Sequence, residues 1–203
     1  SEKGTSYETT SKDFETDSIF SFIETELAKN SKVLICEDYG TEFADFISVD
    51  NEEIIYYHAK YNNVSLSASK LEEVFGQAQK NLGFLELNDE IIELRKEKWL
   101  NKYKTKGVKT QIDRIRKYPP GDDKIEEIKN FINSVSESPH LKRKVYIVVN
   151  FIEKSELVKK VNDIKNGKKF QNDCVILQIL WFVNSLLSSS LERKVDFRII
   201  CRP

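Results

Sequence analysis

The 203-residue sequence predicts an α/β domain in which a mixed β-sheet carries helices on both faces. Three observations lead there. Short apolar runs at 33–36, 145–152 and 195–201, the second of them rich in Val, Ile and Tyr, have strand composition. Segments such as 71–82 and 125–135 instead repeat their apolar residues at helical spacing. The order is helix, three strands, helix, then further helices and strands, which suits one sheet covered by helices on both sides.

Residues 1–16 are polar, lack any apolar period and are expected to form a flexible N-terminal tail. Residues 17–203 then make a single domain, with a core over 17–83 and an extension over 84–203. Asp17 is positioned to cap a short helix whose apolar positions are Ile19, Phe20, Phe22, Ile23 and Leu27. The run 33–36 is a strand, followed by the turn-prone Glu37-Asp38-Tyr39-Gly40. Residues 42–49 and 54–61 read as two strands around a four-residue loop, Asp50-Asn51-Glu52-Glu53.

Ser69 and Glu72 have the capping-box spacing at the start of the next helix. Leu71, Val74, Phe75, Ala78 and Leu82 share one face of it, and Gly83 ends it. A second helix runs from about Asp89 to Tyr103. Residues 104–122 form a lysine-rich connection ending in Pro119-Pro120-Gly121, which no helix or central strand continues through. An amphipathic helix with Ile125, Ile128, Ile132 and Val135 follows, then a buried strand over 145–152 and a helix near 155–165. The last elements are a helix near 173–190 and a strand over 195–201. The 173–190 helix is apolar nearly all round and is expected to be the most buried. Its longest apolar run, Val175 to Leu187, is interrupted by Gln178, Asn184 and Ser185, and so reads as too short and too polar to span a bilayer.

An apolar content of 39% and a charged content of 32% describe a soluble, charge-rich chain. The net charge is −1, so affinity for nucleic acid has to come from a local basic patch. Cys36, Cys174 and Cys201 have neither disulfide-framework nor zinc-ligand spacing, sit in apolar surroundings and read as buried, reduced thiols of a cytoplasmic protein. The first fifteen residues are polar and acidic, unlike a signal peptide. Methionine is absent, even at position 1, and the chain reads as having a processed start or as a piece of a longer protein.

The hairpin concentrates the chemistry. With its loop at 50–53, Val49 faces Ile54 and the register sets Asp45 opposite His58. Alternation puts Lys60 on the same face as His58, diagonal to Asp45 at about 7–8 Å between backbones. Taken singly, Asp45 is a strand-end hydrogen-bonder, His58 a core histidine and Lys60 a snorkelling lysine. Three ionisable groups on one face of two apolar strands call for pairing or a metal. Asp38 and Glu42 stand nearby, as does Glu24 on the first helix. His140, in a Ser-Pro-His loop, reads as surface.

Glu42-Phe-Ala-Asp45-Phe-Ile, a hairpin, and Ile54-Ile-Tyr-Tyr-His58-Ala-Lys60 resemble the core of the PD-(D/E)xK nuclease superfamily, the restriction-endonuclease-like fold. That core carries an aspartate on one strand and a (D/E)-x-K triplet on the next, within an α-β-β-β-α order. Gln77, on the following helix, matches a glutamine that some branches of the superfamily turn toward the site. The resemblance covers residues 17–83, and its one departure is His58, where the superfamily has an acid.

The resemblance implies a metal-dependent phosphodiester hydrolase, acting on DNA more readily than RNA, of the kind common in prokaryotic restriction and antiphage defence. Asp45, His58, Lys60 and Gln77 would be catalytic, and Asp45, His58, Glu42 and Asp38 would hold Mg²⁺ or Mn²⁺. Imidazole favours Mn²⁺ over Mg²⁺. The alternative is an inactive nucleic-acid or protein-binding module on the same fold. Lys102, Lys104, Lys106, Lys109, Arg114 and Arg116, with Tyr103 and Tyr118 interleaved, are the candidate nucleic-acid contacts. A larger protein or complex is an expected partner, and a membrane is not.

Overall fold

A computed structural model describes every residue except Phe170 and Asn172. Six strands form one mixed sheet in the order β6-β1-β2-β3-β7-β8. Its first half is an antiparallel meander of β1 (Val33–Cys36), β2 (Phe46–Asp50) and β3 (Glu53–Lys60). Because β2 and β3 pair as far as Asp50↔Glu53, only Asn51 and Glu52 remain in the turn, which is shorter than the expected four-residue loop. The register is nevertheless the expected one, with Val49 opposite Ile54.

The chain then crosses over through α2 (Ala68–Asn81) and α3 (Asp89–Trp99) on its way to β7 (Lys142–Glu153), which lies parallel to β3. A second crossover through α5 (Lys154–Lys165) and α6 (Asp173–Glu192) leads to β8 (Val195–Arg202), parallel to β7. Parallel neighbours need such long connections, and the helices cover the sheet.

Several local expectations shift. The first helix, α1 (Ile19–Phe22), is capped by Ser18 rather than Asp17, and a π-helical turn over Ile23–Leu27 extends it. Helix α2 starts one residue ahead of Ser69, so the expected capping box falls inside the first turn and its cap residue, Ser67, makes no side-chain cap bond. The lysine-rich connection is not a loop. It folds as a hairpin of β4 (Lys102–Thr105) and β5 (Val108–Asp113), followed by β6 (Ile115–Lys117), which pairs with β1 at the sheet edge. Lys106 and Gly107 both take positive φ, 47° and 83°, as a two-residue turn with the right twist requires. Helix α4 (Lys124–Ser136) comes next, where the Ile and Val spacing puts it.

Alternation along β3 sorts the core into two layers. Ile54 and Tyr56 face α2 and α6, among Leu71, Val74, Ile179 and Leu186. Ile55, Tyr57 and Ala59 face the other way, onto Phe14, Phe20, Ile23 and Tyr103. In that second layer the Phe20 ring stands edge-on to Phe14 and Phe46, at 5.3 and 4.9 Å between centroids.

Residues 1–16 have no regular secondary structure, yet they are tied to this layer. Ile19 and Phe20 donate their N–H groups to the carbonyls of Ser1 and Glu2, and Lys3 bonds to Asp38 at 2.9 Å.

Helix α6 departs most from expectation. Only Ile176, Ile179, Leu186 and Ser190 are buried, while Trp181 is 65% exposed and Leu191 66%. Cys174 is exposed as well, so of the three cysteines expected to be buried only Cys36 is fully so. It packs one side against α2 and β8 and leaves the other in solvent. At 20 residues it is also longer than the apolar run suggested, and by length and composition it is apolar enough to cross a membrane.

Candidate active site

The end of the β2–β3 ladder faces α2 across a small polar pocket of about 60 Å³. Asp45 lies one residue before β2. Its N–H donates to the Tyr57 carbonyl and its carbonyl accepts from Glu37 N–H, both at 2.8 Å, so its backbone is held on both sides. One step beyond the Phe46↔Tyr57 pair, the register brings Asp45 opposite His58. The Asp45 carboxylate turns back along β3 and its Oδ2 accepts the Ala59 N–H at 2.7 Å. His58 is buried and, by alternation, lies on the face toward α2.

Gly40, Glu42, Asp45, His58, Gln77, Lys80 and Asn81 line the pocket. The structure therefore brings together four of the sequence-predicted residues, Glu42, Asp45, His58 and Gln77, from three separate segments. It adds two that sequence reasoning missed, Lys80 and Asn81. Both lie one helical turn beyond Gln77 on the same face of α2, so helical spacing counted on from Gln77 is a usable signal for them. Asn81 is buried and donates from Nδ2 to the Glu42 carbonyl at 3.1 Å, fixing the loop that carries the carboxylate.

Three candidates from the sequence lie elsewhere. Lys60 is on the expected face, but its Nζ pairs with Glu73 of α2 at 2.5 Å and does not line the pocket. Asp38 is engaged away from the pocket by Lys3 and by the Tyr103 hydroxyl at 3.0 Å. Glu24 is taken by Arg116 at 2.9 Å.

The electrostatics are those of a buried polar site. Burial pushes the Asp45 carboxyl well above the usual carboxylate range; repulsion from Asp38 adds to this, and the Ala59 N–H opposes it. Burial lowers the His58 imidazole to about 4, with Lys80 contributing, so His58 is neutral at physiological pH. A neutral imidazole offers a lone pair to a proton or a metal. Glu42 keeps a buried Oε2 without a hydrogen-bond partner. One buried acid, Asp45, and one half-buried acid with an unpartnered buried oxygen, Glu42, beside a neutral imidazole are the donor types a divalent cation takes. Among the described residues, however, no three His, Cys, Asp or Glu side chains are gathered closely enough to hold an ion as they stand.

The loop that presents Glu42 and Asp45 is clamped from beneath. Glu37, fully buried, pairs with Arg95 at 3.1 Å, and burial pushes its carboxyl up to about 7 even against that cation. Arg95 also donates to the Thr41 carbonyl at 2.7 Å and lies 4.1 Å from the centroid of the Phe43 ring. Arg114 donates to the carbonyls of Cys36 and Asp38 and sits over the Tyr39 ring at 4.3 Å. Gly40, at φ 82°, supplies the left-handed turn between these anchors.

This clamp removes Arg114 from the expected nucleic-acid contacts, because its guanidinium is spent inward on backbone carbonyls. Arg116 is removed as well: it is paired with Asp13 and Glu24, and its side chain is 9% exposed. Lys102 is paired with Asp113 at 2.8 Å. Lys104, Lys106 and Lys109 remain exposed on the β4–β5 hairpin.

The chain matches no known family. Comparison with family models, curated proteins and solved structures gives no significant match. The assignment of a function therefore rests on the geometry of the pocket.

Proposed function

We propose that the chain is a phosphodiester hydrolase acting on nucleic acid, DNA before RNA, with its reacting centre at the Glu42–Asp45–His58–Gln77–Lys80 pocket. One observation carries the reading: Glu42 and Asp45 from a loop, His58 from a strand and Gln77 and Lys80 from a helix line one small polar pocket. The order of α1, the β1–β2–β3 meander, α2 and a parallel β7 is compatible with a restriction-endonuclease-like core.

Asp45 and His58 would hold a divalent metal, with Glu42 as third donor, and the bound ion would activate water for attack at phosphorus. The protein's own groups do the rest. His58 stays neutral and can accept a proton or donate a lone pair. Gln77 orients substrate or water from α2. Lys80, rather than Lys60, supplies positive charge at the pocket, where negative charge grows on the phosphoryl oxygens. The exposed lysines of the β4–β5 hairpin would contact the nucleic-acid backbone.

The second reading is a binding module on the same fold without catalysis. It is favoured by the pairing of Lys60 with Glu73 and by the absence, among the described residues, of a ready-made group of three metal donors. Incubation of the chain with plasmid, single-stranded DNA and RNA in Mg²⁺ or Mn²⁺ separates the two. Cleavage by the wild type, lost in Asp45→Asn with an unchanged circular dichroism spectrum, supports hydrolysis. Salt-dependent binding with no cleavage under either ion supports the binding module.

A further inference from the structure

We propose that the solvent-facing side of α6 is a homodimer interface, in which α6 packs antiparallel against α6 of a second copy about a two-fold axis at Asn184. Between Asp173 and Glu192, its two end residues, the helix contains no charged residue, yet about half its circumference faces water. A helix that is apolar all round is a buried helix, and here only one side has been covered.

The uncovered side has a pattern of its own. Leu177, Leu180, Asn184, Leu187 and Leu191 are all exposed and fall at the alternating three- and four-residue spacing of a helix–helix seam. Trp181 stands beside them, the most exposed aromatic of the helix. Asn184 occupies the centre, where a single polar residue in an apolar seam fixes register and partner number.

The pattern is also self-complementary. When two copies run antiparallel with Asn184 against Asn184, positions equidistant from it meet. Leu177 then faces Leu191 and Trp181 faces Leu187, so four of the five large exposed side chains meet an apolar partner, while Leu180 lies over the small Ser188. Asp173 comes opposite the Arg193–Lys194 turn that follows the other helix, an acidic end against a basic one. Such reciprocity is what a two-fold interface requires. From their exposures, withdrawing these side chains on both copies would bury on the order of 1,000 Å², the area at which specific interfaces begin.

A membrane is the competing occupant, because the helix is long enough to span one. Its other side argues against that. Ile176, Ile179 and Leu186 are buried in the core, and Gln79 of α2 donates to Ser189 at 3.0 Å. Crossing a bilayer would tear these contacts out, whereas a second copy leaves them in place.

The experiment measures mass and register on the full chain. Light scattering coupled to size exclusion should give twice the 23.7 kDa chain mass for the wild type. Trp181→Glu should return the mass to that of one chain with an unchanged circular dichroism spectrum, since the side chain is 65% exposed. Register is tested by disulfide capture. In a Cys174→Ser, Cys201→Ser background, Asn184→Cys should cross-link to itself under mild oxidant. The native Cys174 residues should not, because the antiparallel arrangement holds them roughly 30 Å apart along the axis. A single-chain mass for the wild type overturns the proposal, as does a dimer indifferent to Trp181→Glu. Cross-linking through Cys174 would show a parallel pairing and refute the arrangement. Co-flotation of a monomeric wild type with phosphatidylcholine vesicles would give the face to a membrane instead.

Discussion

Acidification should destabilise this protein through His58, and the size of the effect follows from its burial. The imidazole is 2% exposed and its pKa is lowered to about 4, against 6.5 for an unburied histidine. Between those values the unfolded chain binds a proton that the folded one refuses. Stability therefore rises with pH across the window, is complete above pH 6.5 and is lost as pH falls toward 4. The shift corresponds to about 3 kcal/mol, a large part of the stability of a typical domain.

Glu37 and Asp45 work in the opposite sense. Their folded pKa values are raised, so each contributes stability at low pH that is lost as pH rises, for Glu37 between 4.5 and about 7. The clean measurement is therefore a difference. Urea unfolding of wild type and His58→Gln, followed from about pH 7.5 to about pH 4, should show the wild type losing about 3 kcal/mol relative to the variant, most of it below pH 6. Both proteins retain Glu37 and Asp45, whose contributions cancel. Parallel stability curves for the two proteins would refute the reasoning, because a buried neutral imidazole cannot be silent over that range. The same shift means that cleavage should persist below pH 6.5, where an unburied ligating histidine would already have failed.

Other expectations are separable from this one. Lys80→Met should lower cleavage by about 100-fold and more than Lys60→Met does, since only Lys80 lines the pocket; equal losses in a single-turnover assay would return the role to Lys60. Phe20→Ala should cost about 3–5 kcal/mol in chemical denaturation, because its fully buried ring anchors the second core layer; a loss under 1 kcal/mol would mean that layer repacks freely. Replacing Lys104, Lys106 and Lys109 by Gln should reduce the salt dependence of DNA binding by up to about three units of slope in a fluorescence-anisotropy titration. The same assay on Arg116→Gln should leave the slope unchanged, as its guanidinium is held by Asp13 and Glu24.

Amino-acid pattern alone was enough for the central hairpin and what it displays. Period-two alternation and the Val49–Ile54 register follow from local rules, and they place Asp45 opposite His58 before any tertiary contact is known. Helical spacing likewise placed α2 and its Gln77. Charge was less informative. Lys102, Lys104, Lys106, Lys109, Arg114 and Arg116 look alike in sequence, yet Arg114 and Arg116 face inward and three of the lysines face out.

That division depends on which carbonyls, carboxylates and rings each cation meets, and those partners come from residues dozens of positions away. Lys60 takes the face that alternation gives it but stays out of the pocket for the same reason, because Glu73 approaches it only once α2 has docked. Helix α6 shows the limit most clearly. Its composition is that of a helix covered on all sides, but this chain's own fold covers one side and leaves the other exposed to solvent.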